Sequence, residues 1–322
     1  MWPHSELRTP LKFKWRKGKH NMLLGMSCYP KTIQLHNNLY VGGGGGYTSN
    51  IVEWCTVQVY NCKTGVWKKL PEYEYCYFGM VVVRDHLTLV GGRDKFTNNV
   101  TNKLGVWNPI SQQWMHSYPP MNTRRMRPEV AIYDKYLLAA GGNDGDRKLT
   151  TVDILNVMAN EHQWLSASQL PVPCFNMTSA ILHQNWFIIT DKKEVMYASL
   201  AHLCDIPQTA SKSTTNEKPS HWHRLPDAPL KYSTAIALRG SLLTVGGHFD
   251  KHTSTSIHLY HPERDTWIKV GDLPKSRYYC AVSLLHNEEL LIAGGHDGYD
   301  HPTQIDIAAI VNWHFVALSC SQ

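Results

Sequence analysis

The chain has 322 residues, 43% of them hydrophobic and 18% charged, a globular balance with enough apolar side chain for a large core. Its formal net charge of +6 is too mild for a dedicated nucleic-acid binder, so no nucleic-acid partner is expected. The longest apolar runs, such as Leu87 to Val90 and Leu290 to Ala293, are far too short to cross a bilayer, and Met1 to Glu6 lacks the apolar core of a secretory signal.

These features predict a cytoplasmic protein with no membrane partner. Eight cysteines are scattered without a C-x-x-C pair, which argues for buried free thiols and against zinc or a redox dithiol. Without secretion, the Asn99-Val100-Thr101 and Asn176-Met177-Thr178 glycosylation patterns carry no meaning. Trp (11) and Tyr (16) outnumber Phe (7), which suits many half-buried positions whose polar tip meets backbone or water.

In chain order, residues 11 to 16 alternate as a strand that carries Trp15. Apolar runs then end in glycine pairs at Gly42-Gly43, Gly91-Gly92, Gly141-Gly142, Gly246-Gly247 and Gly294-Gly295. They recur about every 50 residues, with one interval about twice as long. In the middle of that interval Trp186-Phe187-Ile188-Ile189 ends in Thr190-Asp191, a degenerate copy. A second marker keeps the same register: Trp67, Trp114, Trp164, Trp222 and Trp267 each follow a glycine pair or its substitute, and a Leu-Pro or Tyr-Pro follows each Trp.

Each unit reads as four short strands. In the fifth copy these are 233–238 (a), 241–245 (b), 254–260 (c) and 266–270 (d), separated by Gly-, Pro- and Asp-containing turns. No segment of useful length has a helical period.

This pattern resembles the kelch repeat over nearly the whole chain. The resemblance implies an all-β, six-bladed β-propeller of four-stranded antiparallel blades, with each Trp packed between neighbouring blades. A lone sheet exposes both faces, and radial stacking buries them. The expected blades are 28–71, 76–120, 127–171, 176–226, 231–274 and 278–312, within one domain spanning 1–322. The last blade lacks a turn followed by Trp, and Trp15 stands about one period before Trp67. The strand 11–16 is therefore expected to supply strand d and close the ring, with Trp313 to Leu318 ranked second. Lys12, Lys14, Lys17 and Lys19 around that strand read as a solvated, anti-aggregation edge rather than a localisation signal. The polar insertion 205–220 reads as a mobile loop.

Chemistry is sparse. Gly42 to Gly46 lacks both the dinucleotide and the Gly-Lys-Ser/Thr phosphate patterns. Among the 18 histidines, His248, His252, His296 and His301 sit in loops without a metal-ligand spacing. No metal and no cofactor are expected. Galactose oxidase, a copper-radical enzyme, has a similar propeller and supplies the rival reading, but its ligand set finds no residue-by-residue match here. Kelch propellers commonly act as protein-interaction modules. They include cytoskeletal binders and the substrate-recognition parts of cullin ubiquitin ligases, whose separate BTB domain does not fit in this chain.

The a–b and c–d connections are tight, whereas the b–c loops are long and unlike one another, so the face bearing loops b–c and d–a is the expected binding face. Its basic and aromatic residues, Arg93, Arg124, Arg125, Arg127, Arg147, Tyr232, Arg277 and Tyr278, suit an acidic or phosphorylated segment of a protein partner. Arg125 and Arg277 are expected to be exposed contacts whose removal spares the fold.

Overall fold

The computed structural model describes residues 5–7, 12–23, 25–27, 30–47, 52–53, 56–205, 221–285, 288–299, 303–311 and 315–317. Six antiparallel blades form a closed ring, as the repeat predicts, and in blades 1 to 5 the chain runs outward through strands a to d. Blade 1 consists of Lys31–Leu35, Asn38–Gly42, Val57–Asn61 and Trp67–Lys69. Blade 2 has a strand a in two pieces, Tyr75–Cys76 and Gly79–Val83, followed by His86–Asp94, Val100–Asn108 and Gln113–Met115. Blade 3 uses Glu129–Tyr133, Tyr136–Ala140, Val152–Asn156 and Trp164–Ser166, and blade 4 uses Thr178–Leu182, Asn185–Ile189, Val195–Ser199 and His223–Leu225. Blade 5 contains Thr234–Leu238, Ser241–Phe249, His252–His261 and Thr266–Asp272, so its strands b, c and d run further than the alternation suggested.

Blade 6 combines Ala281–Leu284, Leu290–Ala293 and Asp306–Val311 with the N-terminal strand Lys12–Lys17 as strand d, and Trp15 lies opposite Ala308. The ring is therefore closed by strands from both parts of the chain. Phe315–Ala317, within the rival segment, pairs instead with Ser5–Leu7. One helix, Leu200–Cys204, occupies the blade 4 c–d connection, where no helix was expected. Residues 206–220 of the insertion, and Cys28, Cys55, Cys320 and His301, lie outside the described residues.

Local chemistry explains the turns. Arg84-Asp85, His183-Gln184 and Arg239-Gly240 all have positive φ, the backbone that lets a two-residue hairpin follow the twist of its strands. At the end of strand c, the side-chain oxygens of Asn61, Asn108 and Asn156 accept backbone N–H bonds from the turn that follows. The glycine pairs answer to a close approach. A Cβ on Gly91 would stand 2.3 Å from the carbonyl oxygen of Arg125, and one on Gly246 the same distance from that of Arg277. In the degenerate fourth blade, Thr190 Oγ1 accepts from the backbone N–H groups of Lys192 and Glu194, folding a short b–c turn without glycine.

The seams between blades carry a recurring bond. The indole N–H of each strand-d Trp donates to a backbone carbonyl of the preceding blade: Trp67 to His20 (3.3 Å), Trp114 to Pro71 (2.9 Å) and Trp164 to Pro119 (2.9 Å). Trp222 donates to Ser168 (3.3 Å), Trp267 to Pro226 (3.1 Å) and Trp15 to Asp272 (3.0 Å). Trp15 thus occupies the environment of the other five. Apolar clusters fill the spaces between sheets, such as Leu138, Ile154, Trp186, Ile188 and Met196 between blades 3 and 4. Nearest the axis, hydroxyls join strands that share no ladder: Thr32 donates to the carbonyl of Val282, Thr234 to that of Cys280, and Thr178 accepts from the N–H of Ala235.

Trp164 is buried and its truncation leaves both a cavity and an unpaired carbonyl. Trp164→Ala should cost roughly 3–5 kcal/mol of stability in urea unfolding, while Trp164→Phe should cost less because it keeps most of the volume.

Candidate binding face

Loops d–a and b–c open on one side of the ring and are stitched to each other by backbone bridges. Met126 pairs with Asn143, Lys231 with His248, and Tyr278 with His296. Just before strand a, five blades place a residue in the left-handed region: Tyr77, Arg127, Asn176, Tyr232 and Tyr279, with φ from 52° to 59°. The N–H of Arg127 donates to the carbonyl of Tyr77, and that of Tyr279 to Tyr232. This αL kink turns the chain from the rim into the innermost strand and gathers polar and aromatic side chains at the mouth of the axial cavity.

That cavity has a volume of about 260 Å³, and the innermost strands line it. Lys31 of blade 1 reaches across it to form an ion pair with Glu129 of blade 3. Glu129 also accepts from Ser179 Oγ at 2.7 Å, and Lys31 donates to the Met177 carbonyl at 3.4 Å. The cross-channel pair gave no signal in the sequence, because the two residues are far apart in the chain and belong to non-adjacent blades.

Around the mouth, Arg127 stacks its guanidinium 4.2 Å from the Tyr77 ring and 5.2 Å from Phe175, and donates to Asn176 Oδ1. Over blades 5 and 6, Tyr232, His248, Tyr278, Tyr279 and His296 form a continuous ring cluster with centroids 4.7–6.4 Å apart. The exposed Phe, Tyr and Trp side chains among the described residues are Phe96 (84% exposed), Phe249 (59%) and Tyr299 (97%). Phe96 and Tyr299 are on b–c loops, and Phe249 ends strand b of blade 5 beside its b–c turn. The sequence reading selected those loops but overlooked these tips, because a single aromatic in a polar loop has no periodicity to mark it.

Charges on the face are mixed. Arg124 is exposed, Arg93 donates to the Asn98 carbonyl at 3.1 Å, and Arg147 is exposed with Asp144 3.5 Å away. Lys148 pairs with Asp191 at 3.1 Å. Asp94 and Asp144 organise their own loops. Backbone N–H bonds from Thr97 and Phe96 hold the Asp94 carboxyl below its usual range, and those from Arg147 and Asp146 help do so for Asp144.

Two expectations are corrected. Arg125 and Arg277 are 0% exposed. The Arg125 guanidinium bonds Asp153 Oδ2 at 2.8 Å and the carbonyls of Gly141 and Thr151 at 2.8 and 3.1 Å. Arg277 does the same with Asp306 (2.6 Å), Gly294 (3.0 Å) and Gln304 (3.3 Å). Meanwhile the carbonyls of these arginines accept from Gly92 (2.9 Å) and Gly247 (2.7 Å) of the blade before. Each arginine is a staple across a seam and is out of reach of a partner. A sequence clue existed: Asp153 and Asp306 stand at the same distance after Gly141-Gly142 and Gly294-Gly295.

Among the described residues, no group of three or more His, Cys, Asp or Glu side chains is arranged to hold a metal ion. Burial pushes the Cys174 and Cys204 thiols up to about 12, so both are protonated and poorly nucleophilic near neutral pH. Among the described residues, no helix is long and apolar enough to cross a membrane.

The Kelch motif model matches residues 229–274, which contain the whole of blade 5. The same tryptophan seam bonds recur through the remaining blades, and the glycine pair recurs in all of them but blade 4. The chain thus carries a kelch motif and resembles kelch-repeat proteins along much of its length. It is 25% identical over 196 residues to Kelch-like protein terF of Aspergillus terreus, covering 56% of this chain and 42% of that protein. With Kelch-like protein 35 of Mus musculus the identity is 24% over 73% of this chain and 37% of the relative. With Kelch repeat and BTB domain-containing protein 2 of cowpox virus it is 20% over 78% and 46%. The chain thus spans about two-fifths of the length of the first two relatives. The solved structure of YjhT shares the fold, with a TM-score of 0.69 over 91% of this chain and 99% of that chain at 15% identity.

Removing one partner of the buried pair strands a charge. Arg125→Met should destabilise by about 3–5 kcal/mol, and adding Asp153→Leu should recover much of the loss, as read by urea unfolding.

Proposed function

We propose that this kelch propeller is a non-enzymatic protein-interaction module that binds its partner through the b–c and d–a loop face. The observation that carries this reading is that, among the described residues, the exposed aromatics Phe96, Phe249 and Tyr299 all lie in or directly beside the b–c loops of that face. Large rings held in water on a rigid scaffold are suited to being interface anchors, and the ring cluster over blades 5 and 6 extends the same surface inward. Arg93, Arg124, Arg127 and Arg147 remain accessible in whole or part and supply planar donors for carboxylate or phosphate on the partner.

The relatives named Kelch-like, and the viral relative whose name joins kelch repeats to a BTB domain, support a role as a substrate-recognition or scaffold subunit. In such a role the propeller selects the partner and the catalytic machinery lies elsewhere.

Affinity purification with mass spectrometry should recover partners that Phe249→Ala/Tyr299→Ala and Arg124→Ala/Arg127→Ala lose, each hot-spot truncation costing about 2 kcal/mol or more of binding. Neither double variant should shift the thermal midpoint greatly, because these side chains lie outside the cores between blades. Binding that persists in both variants would remove this face from consideration. Stoichiometric copper with turnover of primary alcohols would transfer the argument to an oxidase.

A further inference from the structure

The chain has a formal net charge of +6, and six of its lysines gather away from the loop face. Lys12, Lys14, Lys17, Lys19, Lys63 and Lys68 are all exposed, and none forms an ion pair with a described carboxylate. They lie together at one seam. Lys12, Lys14 and Lys17 are on strand d of blade 6. Lys19 follows directly and packs beside Gly65, next to Lys63 in the blade 1 c–d turn. Strand d of blade 1 starts at Trp67, whose indole bonds the carbonyl of His20, and this brings Lys68 to the same rim.

The strand at the centre of this band is also an open edge. Lys12–Lys17 pairs on one side with Asp306–Val311 and ends its sheet on the other. Its apolar residues are committed inward: the Phe13 ring lies against Gly271, and Trp15 bonds the Asp272 carbonyl. The alternate side chains Lys12, Lys14 and Arg16 are left exposed, and only Arg16 is paired, with Glu289 at 2.6 Å.

Edge protection alone does not account for this distribution. The outer strands of blades 2 and 3, Gln113–Met115 and Trp164–Ser166, are open edges with no charged residue. They are three residues long, whereas the blade 6 strand has six, spanning roughly 20 Å at the rise of an extended chain. The blade 5 outer strand is also long, but its Lys269 is neutralised by Asp272 at 2.9 Å. A long edge and unpaired cations coincide only at the blade 6 seam.

We infer that the outer edge of blade 6 is a second docking surface, which takes an extended acidic polypeptide segment as a fifth strand. Lysine ammonium groups attract a run of carboxylates, and the unpaired backbone N–H and C=O groups of Lys12–Lys17 provide main-chain bonds that only another polypeptide can complete. The rim offers compact point charges without a shaped guanidinium pocket or an exposed stacking ring, which disfavours nucleic acid.

The probe is a fluorescein-labelled decapeptide of alternating Glu and Val, with polyuridine RNA and phosphatidylserine vesicles as comparators. The peptide should bind saturably at low salt and weaken at least tenfold with Lys12→Gln/Lys14→Gln. It should bind Phe249→Ala/Tyr299→Ala unchanged, which separates this surface from the loop face. On the unaltered protein, amide hydrogen exchange of Lys12–Lys17 should slow when peptide is added. N-methylation of alternate peptide amides should abolish both effects. Equal binding by the N-methylated peptide, absence of new amide protection, or tighter binding of RNA or vesicles at these lysines would overturn the inference.

Discussion

The structure depends on the bond that each strand-d tryptophan makes across a seam. A four-stranded antiparallel sheet has two apolar faces and cannot bury them alone, so every blade needs its neighbours. The indole provides the apolar body that fills the wedge between sheets, while its N–H satisfies a carbonyl that the seam would otherwise leave unpaired. All six strand-d tryptophans make this bond, and Trp15 makes it across the point where the two ends of the chain meet. Closing the ring with a strand from the opposite end converts what would be a free edge pair into an ordinary blade. No seam is then weaker in kind than the others.

Secondary devices reinforce the same joints at different radii. Near the axis, threonine hydroxyls and the Lys31–Glu129 pair tie innermost strands that have no ladder between them. At the loop end, the two buried arginine–aspartate pairs join blade 2 to blade 3 and blade 5 to blade 6. The glycine pairs are the steric condition for those joints, since the arginine carbonyl occupies the place where a side chain would stand. With rigidity secured from within, the b–c loops can differ in length and composition at little cost to the scaffold, which is why a binding face is sought there.

The chain is similar in sequence to part of several Kelch-like proteins, and the YjhT structure shares its fold. The surface groups of this chain are unevenly placed. Exposed aromatics lie in or beside the b–c loops, a ring cluster covers blades 5 and 6, and unpaired lysines mark the rim where blade 6 meets blade 1. The loop face itself carries both acids and bases, several of them paired with one another.

The sequence by itself determined the number of blades, the strand order and the closure. Glycine pairs and tryptophans are required at fixed points of every repeat, so their spacing records the fold directly. It also located the loop face, because tight turns and long loops alternate along the chain. It did not determine which arginines on that face meet solvent. Arg124 and Arg125 are adjacent and chemically identical, yet one is exposed and the other fully enclosed. That difference rests on Asp153, which arrives from strand c only once blade 3 has folded. The Lys31–Glu129 bridge and the gathering of Lys12, Lys14, Lys19, Lys63 and Lys68 at one seam likewise join residues far apart in the chain. Burial and pairing are properties of neighbours in space, and in a closed ring many of those neighbours are supplied by another blade.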